Sequence, residues 1–472
     1  MATDHFSENV ARALKDEQLR RNFASAMSSF ILKRRAVFSD TAETEKLRIL
    51  GNAVKQRALS RLPQLLEQLE SNCTRNGIHV HWAETTDEAN QIVLRIVKRC
   101  NATRVVKGKS MVSEEMELND FLLANGIEAI ETDLGEFIIQ LNGDKPSHII
   151  APAIHKNKNE IAKIFQEKLG TPYTEDVAEL NAVARQTLRR RFHEAAVGLS
   201  GVNFAVAETG TLCLLENEGN GRMCTTLPRV HIALMGLEKV VEKLEDLPPL
   251  LRLLTRSATG QLISTYVNMI TSPRRQGEKD GPEEIHLVVL DNGRSRIYVD
   301  PEYRQTLQCI RCGTCLNHCP VYTRIGGHAY GFVYPGPIGK ILNPHVEGLE
   351  KAGELPFASS LCGACEEVCP VKIPIPLLIR RLRDESYSAD PKSTVPGYGY
   401  KRNLGERLAW KGWELMNSHP VIHRIASMCL ALFRNHLPAR GPLGLWTRFR
   451  VMPKAAPRSL HAMAEEARIA NE

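Results

Sequence analysis

Residues 309 to 320, CIRCGTCLNHCP, hold four cysteines at the spacing C-x2-C-x2-C-x3-C-P. Three thiolates three residues apart on a tight loop can reach three irons of one small cube, while the cysteine before the proline faces away. A second run, SSLCGACEEVCP at 359 to 370, repeats the spacing with Ser359 in place of the first cysteine. In proteins with two such clusters, the cysteine before the proline serves the neighbouring cluster. Exchange of that kind gives cluster one Cys309, Cys312, Cys315 and Cys369, a full thiolate set for [4Fe-4S]. Cluster two takes Cys319, Cys362 and Cys365, and its fourth position falls on Ser359. A hydroxyl is a poor donor to iron beside thiolates, so direct ligation by Ser359 ranks last. The second cluster is then [4Fe-4S] with a differently held iron, or [3Fe-4S].

Other uses of clustered cysteines fit less well. Structural zinc pairs two C-x2-C motifs across a longer gap, and disulfides need an oxidising compartment. The other cysteines, Cys73, Cys100, Cys213, Cys224 and Cys429, stand singly in apolar or helical settings and read as buried free thiols. Two neighbouring clusters form a one-electron relay. The nearest approach to a dinucleotide fingerprint, GNGRMC at 219 to 224, lacks its third glycine. Two-electron chemistry is therefore expected on a partner or at an unrecognised site, and no catalytic residue is assigned.

The elements that must position these sulfurs follow from the periodicity. At 472 residues the chain has room for about three domains. Residues 1–72 read as a helical arm, with apolar residues at three- and four-residue steps and Pro63 as a kink or restart. Residues 73–298 alternate β-branched runs with amphipathic segments, which predicts an α/β sheet covered on both faces. IHVHW, TRVVKG, IEAIETD, FIIQL, HIIAPAI, NFAVAETGTLCLL, RVHIALMG and EIHLVVLD are the expected strands. TDEANQIVLRIVKRC, SEEMELNDFLLANG and NEIAKIFQEKLG are the expected helices, with Gly126 placed to cap one. Residues 299–386 carry the cysteines, and the Gly- and Pro-rich stretch at 323 to 348 is expected to lack a regular element. Residues 387–472 read as a linker and a basic helical tail.

Three smaller features of the α/β region bear on binding. Thr209, Gly210 and Thr211 in AETGTL, with Gly219 and Gly221 in EGNGR, form a candidate anion site of backbone N–H groups. Weighed against it is a β-hairpin turning at Asn220-Gly221. KGKSM at 107 to 111 is another candidate anion site, against lysines that are merely solvated. His231, in a strand of alternating character, reads as a core histidine.

KGKSMVSEE, ETDLGEFIIQL, PSHIIAPAIHKNK, NFAVAETGTLCLLENEGNGRMCTTLPRVHIALMG and DGPEEIHLVVLDNGRS, followed by both cysteine runs and YPGPIG, closely resemble the lactate-utilisation iron-sulfur protein B family over nearly the whole length. The resemblance implies an α/β domain related to ribose-phosphate isomerase and CoA-transferase folds, then an α-helical ferredoxin-like two-cluster domain, then a helical C-terminal region. It implies an electron carrier in the oxidation of L-lactate to pyruvate with companion proteins A and C. The same seven cysteines carry over as cluster ligands. Some relatives have cysteine at the position of Ser359, so this chain departs from them there.

The net charge of +7 is uneven: from Lys372 onward 17 Lys and Arg stand against 8 Asp and Glu, leaving the first 371 residues at minus two. In VIHRIASMCLALF the residues Val421, Ile422, Ile425, Met428, Cys429, Leu432 and Phe433 share a helical face, and WTRFR follows. Such a helix can pack on its own protein, dock in a partner's groove, or make peripheral membrane contact. No nucleic-acid motif accompanies the charge. No run approaches the ~18 apolar residues of a membrane span, and the N-terminus lacks a secretory pattern, so a cytoplasmic setting is expected, with membrane association through partners or peripheral contact of the C-terminal helix. Two rivals to electron transfer stand: an isomerase- or transferase-type enzyme acting on a phosphorylated or acyl substrate at the α/β domain with structural clusters, and a redox-sensing regulator.

Overall fold

The computed structural model describes residues 6–387, 393–397, 404–433, 456, 458 and 460–467. The chain divides into two compact units, residues 1–400 and 401–472.

Four helices open the first unit: α1 (Phe6–Lys15), α2 (Glu17–Val37), α3 (Thr41–Ser60) and α4 (Leu62–Arg75). Asp16 and Asp40 start α2 and α3 by accepting the N–H groups of Leu19 and Glu43 at 2.9 Å. Pro63 restarts the chain in the first turn of α4, where a missing N–H costs nothing. These helices do not stand free. Phe23, Met27, Leu47 and Val54 belong to the same apolar core as Cys312, Cys315 and Tyr322.

The α/β region runs β1 (Ile78–Ala83), α5 (Thr86–Arg99), β2 (Arg104–Lys107), α6 (Met111–Glu115), α7 (Leu118–Ala124), β3 (Glu128–Glu131), α8 (Leu134–Asn142), α9 (Lys158–Leu169), α10 (Val177–Glu194), β4 (Val197–Gly201), β5 (Phe204–Val206), β6 (Thr211–Glu216), α11 (Asn220–Thr226), β7 (Val230–Gly236), β8 (Val240–Val241), α12 (Leu247–Ala258), β9 (Tyr266–Ile270), β10 (Glu284–Leu290) and α13 (Arg294–Val299). Six parallel strands form the main sheet in the order β1-β10-β7-β4-β2-β3. Every residue of β7 is buried, as a strand covered on both faces requires. Ile232 and Leu234 join one apolar core, and Ala233 and Met235 join the other. A smaller sheet, β8-β5-β6-β9, packs alongside.

Several expectations need correction. FIIQL is not a strand but part of α8, started by the Asp133 carboxylate on the Glu136 N–H and stopped by Gly143 at φ +69°. HIIAPAI forms no element: Pro152 has no N–H to give a ladder, and His148 Nδ1 takes the N–H groups of Ile150 and Ala151. SEEMELNDFLLANG breaks into α6 and α7 at Glu117, φ +48°.

The cysteine region holds α14 (Thr314–Asn317), α15 (Tyr322–Ile325), α16 (Gly336–Glu347), α17 (Leu349–Ala352), α18 (Ala364–Glu367) and α19 (Ile375–Glu385). α16 overturns the expected loop at 323 to 348. Pro337 sits in its first turn, where proline suits a helix. Gly336 through His345 are buried, and that burial overrides the poor propensity of Pro344.

The second unit contains α20 (Leu404–Ser418), α21 (Pro420–Phe433) and a short helix, Leu460–Glu466. Val421, Ile422, Ile425 and Met428 are exposed on α21. Cys429 is exposed too, and Cys100 half-buried, against the expectation of buried thiols. WTRFR and the side chains of Leu432 and Phe433 lie outside the described residues. Among the described residues no helix is long and apolar enough to cross a membrane.

Candidate iron-sulfur centres and the adjoining pocket

Both cysteine loops wind alike. Arg311 and Gly313 flank Cys312 at φ +60° and +72°, and Leu361 and Gly363 flank Cys362 at +56° and +81°. Positive φ is costly for arginine and leucine. Its recurrence at matched places turns successive backbone groups around a centre. Each winding then enters a one-turn helix, α14 or α18, and ends at a Cys-Pro pair. In this register, fifty residues apart, Ser359 stands where Cys309 stands.

The sulfurs do not group by loop. Cys369 joins Cys309, Cys312 and Cys315 around one small cavity, with Ile149, Ile338, Val371 and Ile373 in its wall. In the reciprocal group, Lys340 Nζ lies 3.8 Å from Cys319 Sγ, and the charges of Cys319, Lys340 and Cys362 all bear on Cys365. Four thiols line the cavity, with no carboxylate or imidazole in the wall. Burial pushes Cys369 up to about 11 and Cys365 to about 12, and raises Cys312 and Cys315 as well. Thiols so placed give up their protons to a bound metal, as iron-sulfur ligation requires. The residues fit the group.

Supporting groups complete the frame. The N–H of Ile373 donates to Cys369 Sγ at 3.3 Å and that of Tyr322 to Cys319 Sγ at 3.5 Å. Arg34 of α2 donates to the Val368 carbonyl at 3.1 Å, and Arg48 of α3 to the Cys369 carbonyl at 3.0 Å. Asn52 donates to the Val371 carbonyl at 2.7 Å and to Gln308 at 2.8 Å. The start of the second loop is the exposed part: Leu361 and Cys362 face solvent, whereas Cys365 and Cys369 further along it, and Cys312, Cys315 and Cys319 of the first loop, are buried. The Ser359 hydroxyl accepts the Leu361 N–H at 3.2 Å.

A cavity of about 390 Å³ opens at the carboxyl edge of the parallel sheet, where α/β folds hold their ligands. Lys109 follows β2, Ser200 ends β4, and Glu238 and Lys239 follow β7; Arg311 and Tyr334 enter from the cysteine region. Arg311 lies over the Tyr334 ring at 4.7 Å and donates through Nη2 to Glu238 at 3.2 Å. Glu238 also accepts from Arg294 at 2.7 Å, and these two cations hold its carboxyl down at about 2 against the burial that opposes them. Sequence reasoning missed Arg311, Glu238 and Lys239. The one available signal was an arginine inside a cysteine run.

The five residues of the candidate anion site are not brought together. Thr209, Gly210 and Thr211 close the β5-β6 hairpin, where Gly210 packs on Asn72 and Cys73. Gly219 and Gly221 lie beyond the other end of β6, and Gly221 lines the large cavity. Asn220-Gly221 opens α11, so the hairpin turn expected there is instead at 207 to 210. Lys107 is not solvated: it is buried against Glu131 at 2.7 Å and Glu114 at 3.0 Å, so its charge is spent. His231 is fully buried, with Nε2 2.8 Å from the Ser200 hydroxyl.

The LUD domain model matches residues 66–290, a 4Fe-4S dicluster domain matches 305–373, and the model of the lactate utilisation protein B C-terminal region matches 381–469. Lactate utilization protein B of Bacillus licheniformis is 41% identical over 461 residues, covering 96% of this chain and 94% of that protein. The protein of the same name from Bacillus subtilis is 40% identical over 96% of this chain and 94% of its own length. That from Shouchella clausii is 43% identical over the same shares. A solved DUF162 family protein from Deinococcus radiodurans matches at 14% identity and TM-score 0.28, over 48% of this chain and 98% of that one, too slight a likeness to show a fold.

Proposed function

Since this chain belongs to the lactate utilisation protein B family, we propose that it is the iron-sulfur electron-transfer subunit in the oxidation of L-lactate to pyruvate, working with companion proteins A and C. Its α/β part reads as a relative of the ribose-phosphate isomerase and CoA-transferase folds, and its cysteine part as an α-helical ferredoxin-like domain.

The observation that carries this reading is the crossing of Cys369 to the first loop, with Cys319 left beside Lys340 near Cys365. Ligands exchanged in this way hold two centres close, and each centre, when bound, supplies one-electron transfer. Cys309, Cys312, Cys315 and Cys369 would hold the first, and Cys319, Cys362 and Cys365 the second. The apolar wall around the first set excludes water. The donors to sulfur, Lys340 Nζ and the Tyr322 and Ile373 N–H groups, stabilise added negative charge and favour the reduced state. Exposed Leu361 and Cys362 set the second centre at the surface, where a partner can exchange electrons.

Iron and acid-labile sulfide per anaerobically purified chain, with low-temperature EPR during reductive titration, test the reading. Two interacting signals that reduce at accessible potentials are expected. Clusters that stay silent would leave the rival of an isomerase- or transferase-type enzyme at the sheet-edge cavity.

A further inference from the structure

We propose that the cavity at the carboxyl edge of the parallel sheet binds a small monocarboxylate, anchored by Lys239 and Arg311 beside the first cysteine loop.

Two buried cations there lack full partners. Arg311 is 8% exposed; its Nη2 is taken by Glu238, while its Nη1 is buried with no hydrogen-bond partner. Leaving such a donor unpaired costs free energy that an acceptor from a ligand would recover. Lys239, also 8% exposed, lines the same cavity and makes no hydrogen bond or ion pair among the described residues. Burial pulls its ammonium down to about 8 in spite of Glu238, and an added anion would favour its charged form further. A carboxylate, with two oxygens, suits one guanidinium nitrogen and one ammonium.

The rest of the wall argues for small size and single charge. Asp133, Glu216 and Glu218 also line the cavity. Their oxygens are engaged by the N–H groups of Glu136, of Gly219 and Arg222, and of Leu134 respectively. Burial and Asp133 push Glu218 up to about 7. With Glu238, four carboxyl groups line the cavity, and they would repel a phosphate dianion more than a monoanion. The cavity is at the small end of the range for ligand sites. This inference stands apart from the relay, because a carboxylate can bind with no electron moving.

Anaerobic calorimetric titration of the full chain with acetate, L-lactate and pyruvate, and separately with inorganic phosphate, tests it. At least one carboxylate should bind saturably, and phosphate should not. Lys239→Met should weaken that binding by about tenfold or more, and Lys239→Arg should restore most of it. Arg311→Lys, which keeps the charge but loses the second nitrogen, should weaken it as well. Absence of binding by all three carboxylates, preference for phosphate, or Lys239→Met at wild-type affinity with unchanged iron content would overturn the proposal.

Discussion

At position 359 a hydroxyl occupies the place that Cys309 fills in the first loop, inside the same positive-φ winding. The winding is retained although the sulfur is absent, so the loop can hold a centre of the same shape with three thiolates. Ser359→Cys should therefore raise iron per chain by about one if the native second centre has three irons, read by iron assay and by loss of a three-iron EPR signal; an unaltered spectrum would place residue 359 away from the metal. Cys369→Ala tests the exchange itself. It should remove the signal of the first centre and leave most of the second, because Cys369 lines the cavity with the first loop's Cys309, Cys312 and Cys315. Loss of the second signal alone would reverse the ligand assignment. The cysteine pattern was legible from spacing because ligand geometry is local. Arg311, Glu238 and Lys239 were not, because the burial that makes them consequential arises only when distant segments meet.

At the scale of elements, the N-terminal helices act as a clamp. α2 and α3 deliver Arg34, Arg48 and Asn52 to carbonyls at Val368, Cys369 and Val371, more than three hundred residues away. Asn52→Ala would strip the Val371 carbonyl and Gln308 of a half-buried donor. The expected cost is about 1–3 kcal/mol, seen as a lower thermal midpoint and faster iron loss to a chelator; unchanged chelation kinetics would make the clamp incidental. The parallel sheet and the first four helices were legible because continuous β-branched runs and an apolar period of 3.6 are strong signals. FIIQL and the 323 to 348 stretch were not. A five-residue apolar run fits either element, and α16 forms because its surroundings bury it despite Pro344.

Across the first unit, buried neutral histidines tie the parts together. His148 accepts two N–H groups at Nδ1 and meets Asn317 Oδ1 at 2.9 Å through Nε2, joining the α/β region to α14. A second proton on Nδ1 would face two donors. Burial lowers His148, His155 and His345 to about 4 and His231 to about 3. The unfolded chain, with histidines near 6.5, binds protons first, so this stability is complete above about pH 6.5 and lost as pH falls toward 4. Between pH 7.5 and 5.5 the loss should be about 1 kcal/mol for each histidine, measured as a falling thermal midpoint. A midpoint that does not move would show these groups titrating alike in both states.

By itself the sequence determined the seven clustered cysteines, their two-loop spacing, the departure at Ser359 and the alternation of strands and helices. Each of these rests on short-range geometry or on a period along the chain. Only the tertiary structure decided that the N-terminal helices grip the second cysteine loop and that the five candidate anion-site residues lie apart. It alone placed a cavity with two under-partnered cations beside the first loop. These depend on which distant residues share a dry interior, and burial, unlike spacing, belongs to no single segment.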